Sequence, residues 1–168
     1  VNRRTPAADY RARADHALAG ISRDLQRAGH PKPSGDPLIG VVIVLEQPVG
    51  PRVFEALSKS LGAIELPEAY VTCAETGLLK KELRLSEPGV LVAVGPGAAR
   101  EIDQLGDPLA LKPFSDARLG NPFTWKRNTI GILLPPLSDA LDDETEKRRF
   151  WTAFRSLGAL VRNSKTSG

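Results

Sequence analysis

The chain has 168 residues, 41% of them hydrophobic and 26% charged, with a formal net charge of +3. That length accommodates one domain with a full core, and the composition is globular rather than disordered or fibrous. A single cysteine, Cys73, excludes an internal disulfide and any cysteine-built metal or iron–sulfur site.

Charge is unevenly placed. Residues 1–32 carry seven Lys/Arg against three Asp/Glu, while the rest carry 16 against 17. A basic arm on a near-neutral body fits contact with nucleic acid or with an acidic protein. Within the arm, residues 5–28 read as an amphipathic helix, because Tyr10, Ala14, Leu18, Ile21 and Leu25 recur on one stripe. Thr5 is a suitable cap before Pro6, and Gly29 ends the helix. The sequence GHPKPSGDP at 29–37 then reads as a linker. Tyr10, Leu18, Ile21 and Leu25 are candidates for binding a protein partner, with packing on the body as the other reading. Arg3, Arg4, Arg11 and Arg13 are candidates for nucleic-acid contact. Both histidines, His16 and His30, lie in this arm, leaving the body few groups for acid–base work near neutral pH.

The body opens with LIGVVIVL at 38–45, an apolar, β-branched run of the kind buried on both faces of a parallel sheet. Residues 51–61 place Val53, Phe54, Leu57 and Leu61 at helical spacing. A short strand over 69–73 and a helix over 77–85 follow. GVLVAV at 89–94 predicts a third buried strand, and 97–105 a helix. The Pro- and Gly-rich stretch 106–122 carries no regular pattern, 128–134 predicts a fourth strand, and 143–161 a last helix. That helix has Phe150, Trp151, Phe154, Leu157 and Val161 on its apolar face.

Strands alternating with helices imply right-handed crossovers and a covered parallel sheet. The expected fold is an α/β domain over 38–162, a three-layer α/β/α sandwich with a central four-stranded parallel sheet. A helical arm and linker over 1–37 precede it, and a polar tail over 163–168 follows. No apolar run approaches the ~18–20 residues that span a bilayer, and no apolar segment follows the first arginines. The expected location is therefore the cytoplasm. No cofactor and no metal are expected.

Two stretches carry a resemblance. SEPGVLVAVGPGAAREI at 86–102 and the preceding YVTCAETGLLKKELRL at 70–85 are similar to the compact microbial branches of the uracil-DNA glycosylase superfamily. Those branches share the order of a strand, a polar loop and a helix, then a buried strand leading to a helix that opens with small residues. The closing pattern IGILLPPLSDAL at 130–141, followed by a helix with an early Trp, also resembles them. The resemblance covers most of the body and implies that superfamily's fold, and it marks three functional positions.

At each position this chain departs from the active pattern. Active members position the attacking water on a Gly-rich loop after the first strand, where this chain has LEQPVGP, including Glu46, Gln47 and Pro48. Glu46 offers a carboxylate able to act as a base. The usual longer loop is missing, however, and a solvated strand-end residue is the plainer reading. The asparagine that reads the flipped base falls at Cys73, whose thiol cannot supply an amide's donor and acceptor. The histidine that stabilises the departing base anion falls at Leu134 or Pro135, with Ser138 the nearest hydroxyl. This pattern implies a degenerate pocket at Glu46, Gln47, Pro48, Cys73, Pro135 and Ser138, and no catalysis.

The layout of arm, linker and degenerate body is also similar to the psi-subunit family of the bacterial replicative clamp loader. The expected function is therefore a protein–protein adaptor of the replication or repair machinery, with possible DNA contact through the arm. Pro136 and Leu137 join the partner-binding candidates. Three other readings stay open: a divergent glycosylase using Glu46 or Asp139, a DNA-binding module for damaged or single-stranded DNA, and a doubly wound nucleotide-binding module. The last would use Gly95-Pro96-Gly97 to hold phosphate at a helix start.

Overall fold

A computed structural model describes residues 6–27, 33–74, 77–137 and 142–166. Thr5, Arg3, Arg4, His30, Ser138 and Asp139 lie outside the described residues.

Five α-helices and five strands are described, in the order α1 (Pro6–Arg27), β1 (Val41–Leu45), α2 (Pro51–Ala63), β2 (Tyr70–Cys73), α3 (Leu79–Ser86), β3 (Val90–Val94), α4 (Pro96–Gln104), β4 (Phe123–Lys126), β5 (Thr129–Leu134) and α5 (Glu144–Thr166). They form an α/β fold with one sheet in the order β2-β1-β3-β5-β4. β2, β1, β3 and β5 run parallel, and β4 is antiparallel to β5.

The fifth strand corrects the expected count of four. Phe123–Lys126 is joined to β5 by the two-residue turn Arg127–Asn128, with Asn128 at φ 72°. Asparagine tolerates this left-handed conformation, which tight hairpins require. Asn128 therefore belongs to the turn, and β5 begins one residue later than expected.

Alternation of side chains sorts the strands onto two layers. Ile43, Leu45, Val92, Val94, Ile132 and Leu134 face α2 and α5, where they meet Leu57, Leu61, Phe150, Phe154 and Leu157. Val42, Val44, Leu91, Ala93 and Leu133 face the other way, onto Leu79, Ala98, Ala99, Ile102, Phe114 and Trp125. Both sheet edges are tied down, which limits pairing with other chains. Ser34 exchanges backbone hydrogen bonds with Val71 of β2 at 3.1 and 2.8 Å, and the Leu111 amide donates to the Trp125 carbonyl of β4 at 2.6 Å.

α1 lies outside α3. Leu18, Ile21 and Leu25 are buried against Leu38, Leu78 and Leu85. Those three residues, expected as partner-binding candidates, are thus spent on packing within the chain. Burying a leucine contributes roughly 1.5–3 kcal/mol, so the stripe seats the helix rather than advertising it. Ser34 and Asp36, assigned by sequence to the linker, bond to the body through Val71 and Glu68. No described helix is long and apolar enough to cross a membrane.

Candidate functional site

In an open parallel sheet, ligands gather at the carboxyl ends of the strands where the strand order reverses direction. Here the chain passes from β1 outward to β2 and then back across to β3, so the reversal lies between β1 and β3. The register aligns Cys73, Leu45, Val94 and Leu134 in one row at that edge. The next residues along the chain are Ala74, Glu46, Gly95 and Pro135. Sequence positions 46, 73 and 135, far apart along the chain, are therefore brought together at one edge.

Glu46 crosses the reversal point. Its Oε2 accepts a hydrogen bond from the Gly97 amide at 2.7 Å. Pro96 is the first residue of α4, so the Gly97 amide is one of the helix-start donors without a partner inside the helix. A carboxylate there also meets the positive end of the helix dipole. Gly95, at φ 93°, and Gly97 both face this carboxylate, and a Cβ on either would run into it. The glycines read as a possible phosphate cradle hold the chain's own anion instead. Glu46 is half-buried and engaged, which corrects its reading as a solvated strand-end residue.

The remaining positions are placed as follows. Gln47 and Pro48 are exposed, while Val49 turns back into the layer under α2 and α5. Cys73 is half-buried and packs on that same layer. The Leu134 carbonyl accepts from the Gly95 amide at 2.9 Å. Pro135 is buried, Pro136 half-buried and Leu137 buried in the core. Leu137 is thus core packing, a correction to its reading as a contact residue.

On the arm, Tyr10 remains 48% exposed. The Arg11 guanidinium lies 3.1 Å from the Asp36 carboxylate and 3.8 Å from that of Asp15. The Leu38 amide hydrogen bond, with help from Arg11, holds the Asp36 carboxyl below its ordinary range despite partial burial. Arg13 donates to the Asp9 carbonyl at 3.4 Å. Of the four expected nucleic-acid contacts, Arg11 is therefore committed to neighbouring carboxylates.

A cleft of about 180 Å³ between the end of α4 and β4 is lined by Asp103, Asp107, Lys112 and Trp125. Small-molecule sites occupy ~300–1,000 Å³. Its acids are already used: Asp103 takes the Phe114 and Ser115 amides and the Ser115 hydroxyl, and Asp107 takes the Leu109 amide and Lys126. Phe114 packs edge-to-face with Phe123 and tilted against Trp125, so these rings are engaged with one another. Among the described residues, no group of three or more His, Cys, Asp or Glu is gathered where it could hold a metal.

One buried acid escaped the sequence reading. Glu82 of α3 is fully buried and accepts the Tyr70 hydroxyl at 2.5 Å. Glu82 Oε1 and Thr72 Oγ1 lack hydrogen bonds of good geometry. Burial pushes the Glu82 carboxyl above its ordinary range, opposed by the nearby Tyr70 and Thr72 hydroxyls. Burial and the facing Glu82 push the Tyr70 hydroxyl up as well. A signal was present: Leu79, Glu82, Leu83 and Ser86 fall at helical spacing, which puts Glu82 on the inward stripe.

Compared with known protein families and with curated proteins, the sequence matches none.

Proposed function

We propose that the chain is a non-catalytic relative of the uracil-DNA glycosylase superfamily, acting in the cytoplasm as a protein–protein adaptor in DNA replication or repair. Its sharpest form is an accessory role like that of the psi family beside a clamp loader. The observation that carries this reading is the hydrogen bond from the Gly97 amide to Glu46. That contact engages Oε2 of the one carboxylate the loop offers, and it occupies the amide a phosphate would need.

Two neighbouring positions support it. Cys73 supplies no amide edge for a base, and the buried Pro135 supplies no donor for a departing anion. For base excision the pocket would need both, together with a base-sized hollow. A glycosylase reading therefore draws no support from Glu46, and a nucleotide-binding reading draws none from Gly97.

Affinity purification of the full chain from its native cell, with cross-linking and mass spectrometry, tests the adaptor role. Replication or repair proteins cross-linked to the chain in constant ratio are the expected result. Recovery of the chain alone, or with proteins of unrelated processes, contradicts it.

A further inference from the structure

The outer face of α5 carries a charge pattern that the adaptor reading does not use. From residue 147 to 166 the sequence has Lys147, Arg148, Arg149, Arg155, Arg162 and Lys165 and not one Asp or Glu. Arg148, Arg155 and Arg162 stand seven residues apart. At 100° per residue they share one stripe, drifting only ~20° per step, and at 1.5 Å per residue they are about 10 Å apart and span about 21 Å. All three are exposed, while Phe150, Phe154, Leu157 and Val161 fill the opposite, buried face.

Arg148 and Arg155 make no ion pair with the described residues, whereas Arg149 is bound to Glu146 at 3.6 Å. Arg155 lies over the half-buried Trp151 ring at 5.8 Å, which steadies its guanidinium against the helix. The stripe belongs to the layer on the far side of the sheet from α3, and so from α1 and its arginines.

We propose that this arginine stripe is a binding surface for the phosphate backbone of a nucleic acid, read without regard to base sequence. Charge complementarity selects the partner: three exposed arginines in a line along one helix match a linear polyanion, and guanidinium forks bind phosphate oxygens two at a time. A membrane surface fits less well. The apolar face that an interfacial helix would insert is already buried in the core, and none of the exposed large apolar side chains lies on α5. A protein partner fits less well too, because an interface core needs apolar anchors that the stripe does not offer. The surface stands independently of the adaptor role.

Fluorescence anisotropy with the full chain tests this, using a random-sequence 20-nucleotide single strand and the same sequence as duplex. Three neutralised phosphates predict that duplex affinity falls about 40-fold between 50 and 200 mM salt. Each of Arg148→Gln, Arg155→Gln and Arg162→Gln should weaken binding alike for different sequences and cut that fall to about 12-fold. The triple variant should lose the salt-dependent binding with its thermal melt unchanged. Retained binding by the triple variant with the wild-type salt slope overturns the proposal, since the charge of the N-terminal arm is intact there. So does wild-type chain that binds neither oligonucleotide at 50 mM salt, or that binds phosphatidylserine vesicles in their place.

Discussion

The Glu46 carboxylate accepts the Gly97 amide at 2.7 Å from a position 51 residues earlier in the chain. This contact joins the end of β1 to the start of α4 across the point where the sheet's strand order reverses. It also explains why both residues flanking Pro96 are glycines. Gly95 needs its left-handed backbone, and both need to leave room for the carboxylate.

That relationship makes a double-mutant test. Glu46→Ala should cost about 1 kcal/mol, the usual worth of a helix-start cap. Gly97→Ala alone should destabilise by no more than about 1 kcal/mol, because its Cβ displaces the carboxylate, the far end of a flexible side chain, and gives up that cap. In the Glu46→Ala background the same change should be neutral or stabilising, since alanine is favoured over glycine in a helix by roughly 0.5–1 kcal/mol. Urea unfolding of the four proteins measures the coupling. Additive effects would show that the two residues do not meet.

Glu82 sets a pH dependence. In the unfolded chain the carboxyl titrates near its ordinary value of 4.5, and in the folded chain burial raises it. Below pH 4.5 both states hold the proton and no penalty exists. As pH rises through the unfolded value toward the folded one, the unfolded state ionises first and stability is lost. Glu82→Gln should thus match the wild type near pH 4 and exceed it at pH 8, as read from urea midpoints at both values. A difference independent of pH would contradict the upward push of burial on this carboxyl.

The seating of α1 depends on apolar burial more than on charge. Leu25 is fully buried, and Leu25→Ala should cost about 2–5 kcal/mol and hasten proteolysis within α1. Arg11→Gln removes contacts to Asp15 and Asp36 whose side chains are 51% and 31% exposed. It should cost no more than about 1 kcal/mol. Equal losses in the two variants would overturn this ranking.

Gly131 of β5 is a packing requirement. A Cβ there would lie 2.6 Å from Phe123 Cζ and 2.8 Å from Phe114 Cζ, inside an edge-to-face pair whose centroids are 4.9 Å apart. Gly131→Ala should destabilise by about 1–3 kcal/mol and shift the near-ultraviolet circular dichroism of the aromatic cluster.

Much of this fold was legible in the sequence because its parallel strands are buried on both faces. LIGVVIVL and GVLVAV can satisfy so much apolar surface in few other ways. β4 was hidden by its length and by the Pro- and Gly-rich stretch before it, although Phe123 to Lys126 followed by an Arg-Asn turn carries a hairpin signal. The stripe on α1 was legible as a stripe, but periodicity does not say whether the surface it meets is in the same chain. The site was legible in part. The strand ends at 46, 73 and 135 could be marked by resemblance, and their alignment followed from the register. The role of Glu46 could not be read, because its partner lies 51 residues away and nothing local encodes a contact across a sheet.

On the proposed reading, the edge where these strands end performs no base excision. Incubating the full chain, at an amount equal to substrate, with uracil-containing single-stranded and duplex oligonucleotides, followed by alkaline cleavage, tests it most directly. Strand breakage no greater than in the protein-free control is the expected result. Breakage above that control, abolished by Glu46→Gln, would contradict it.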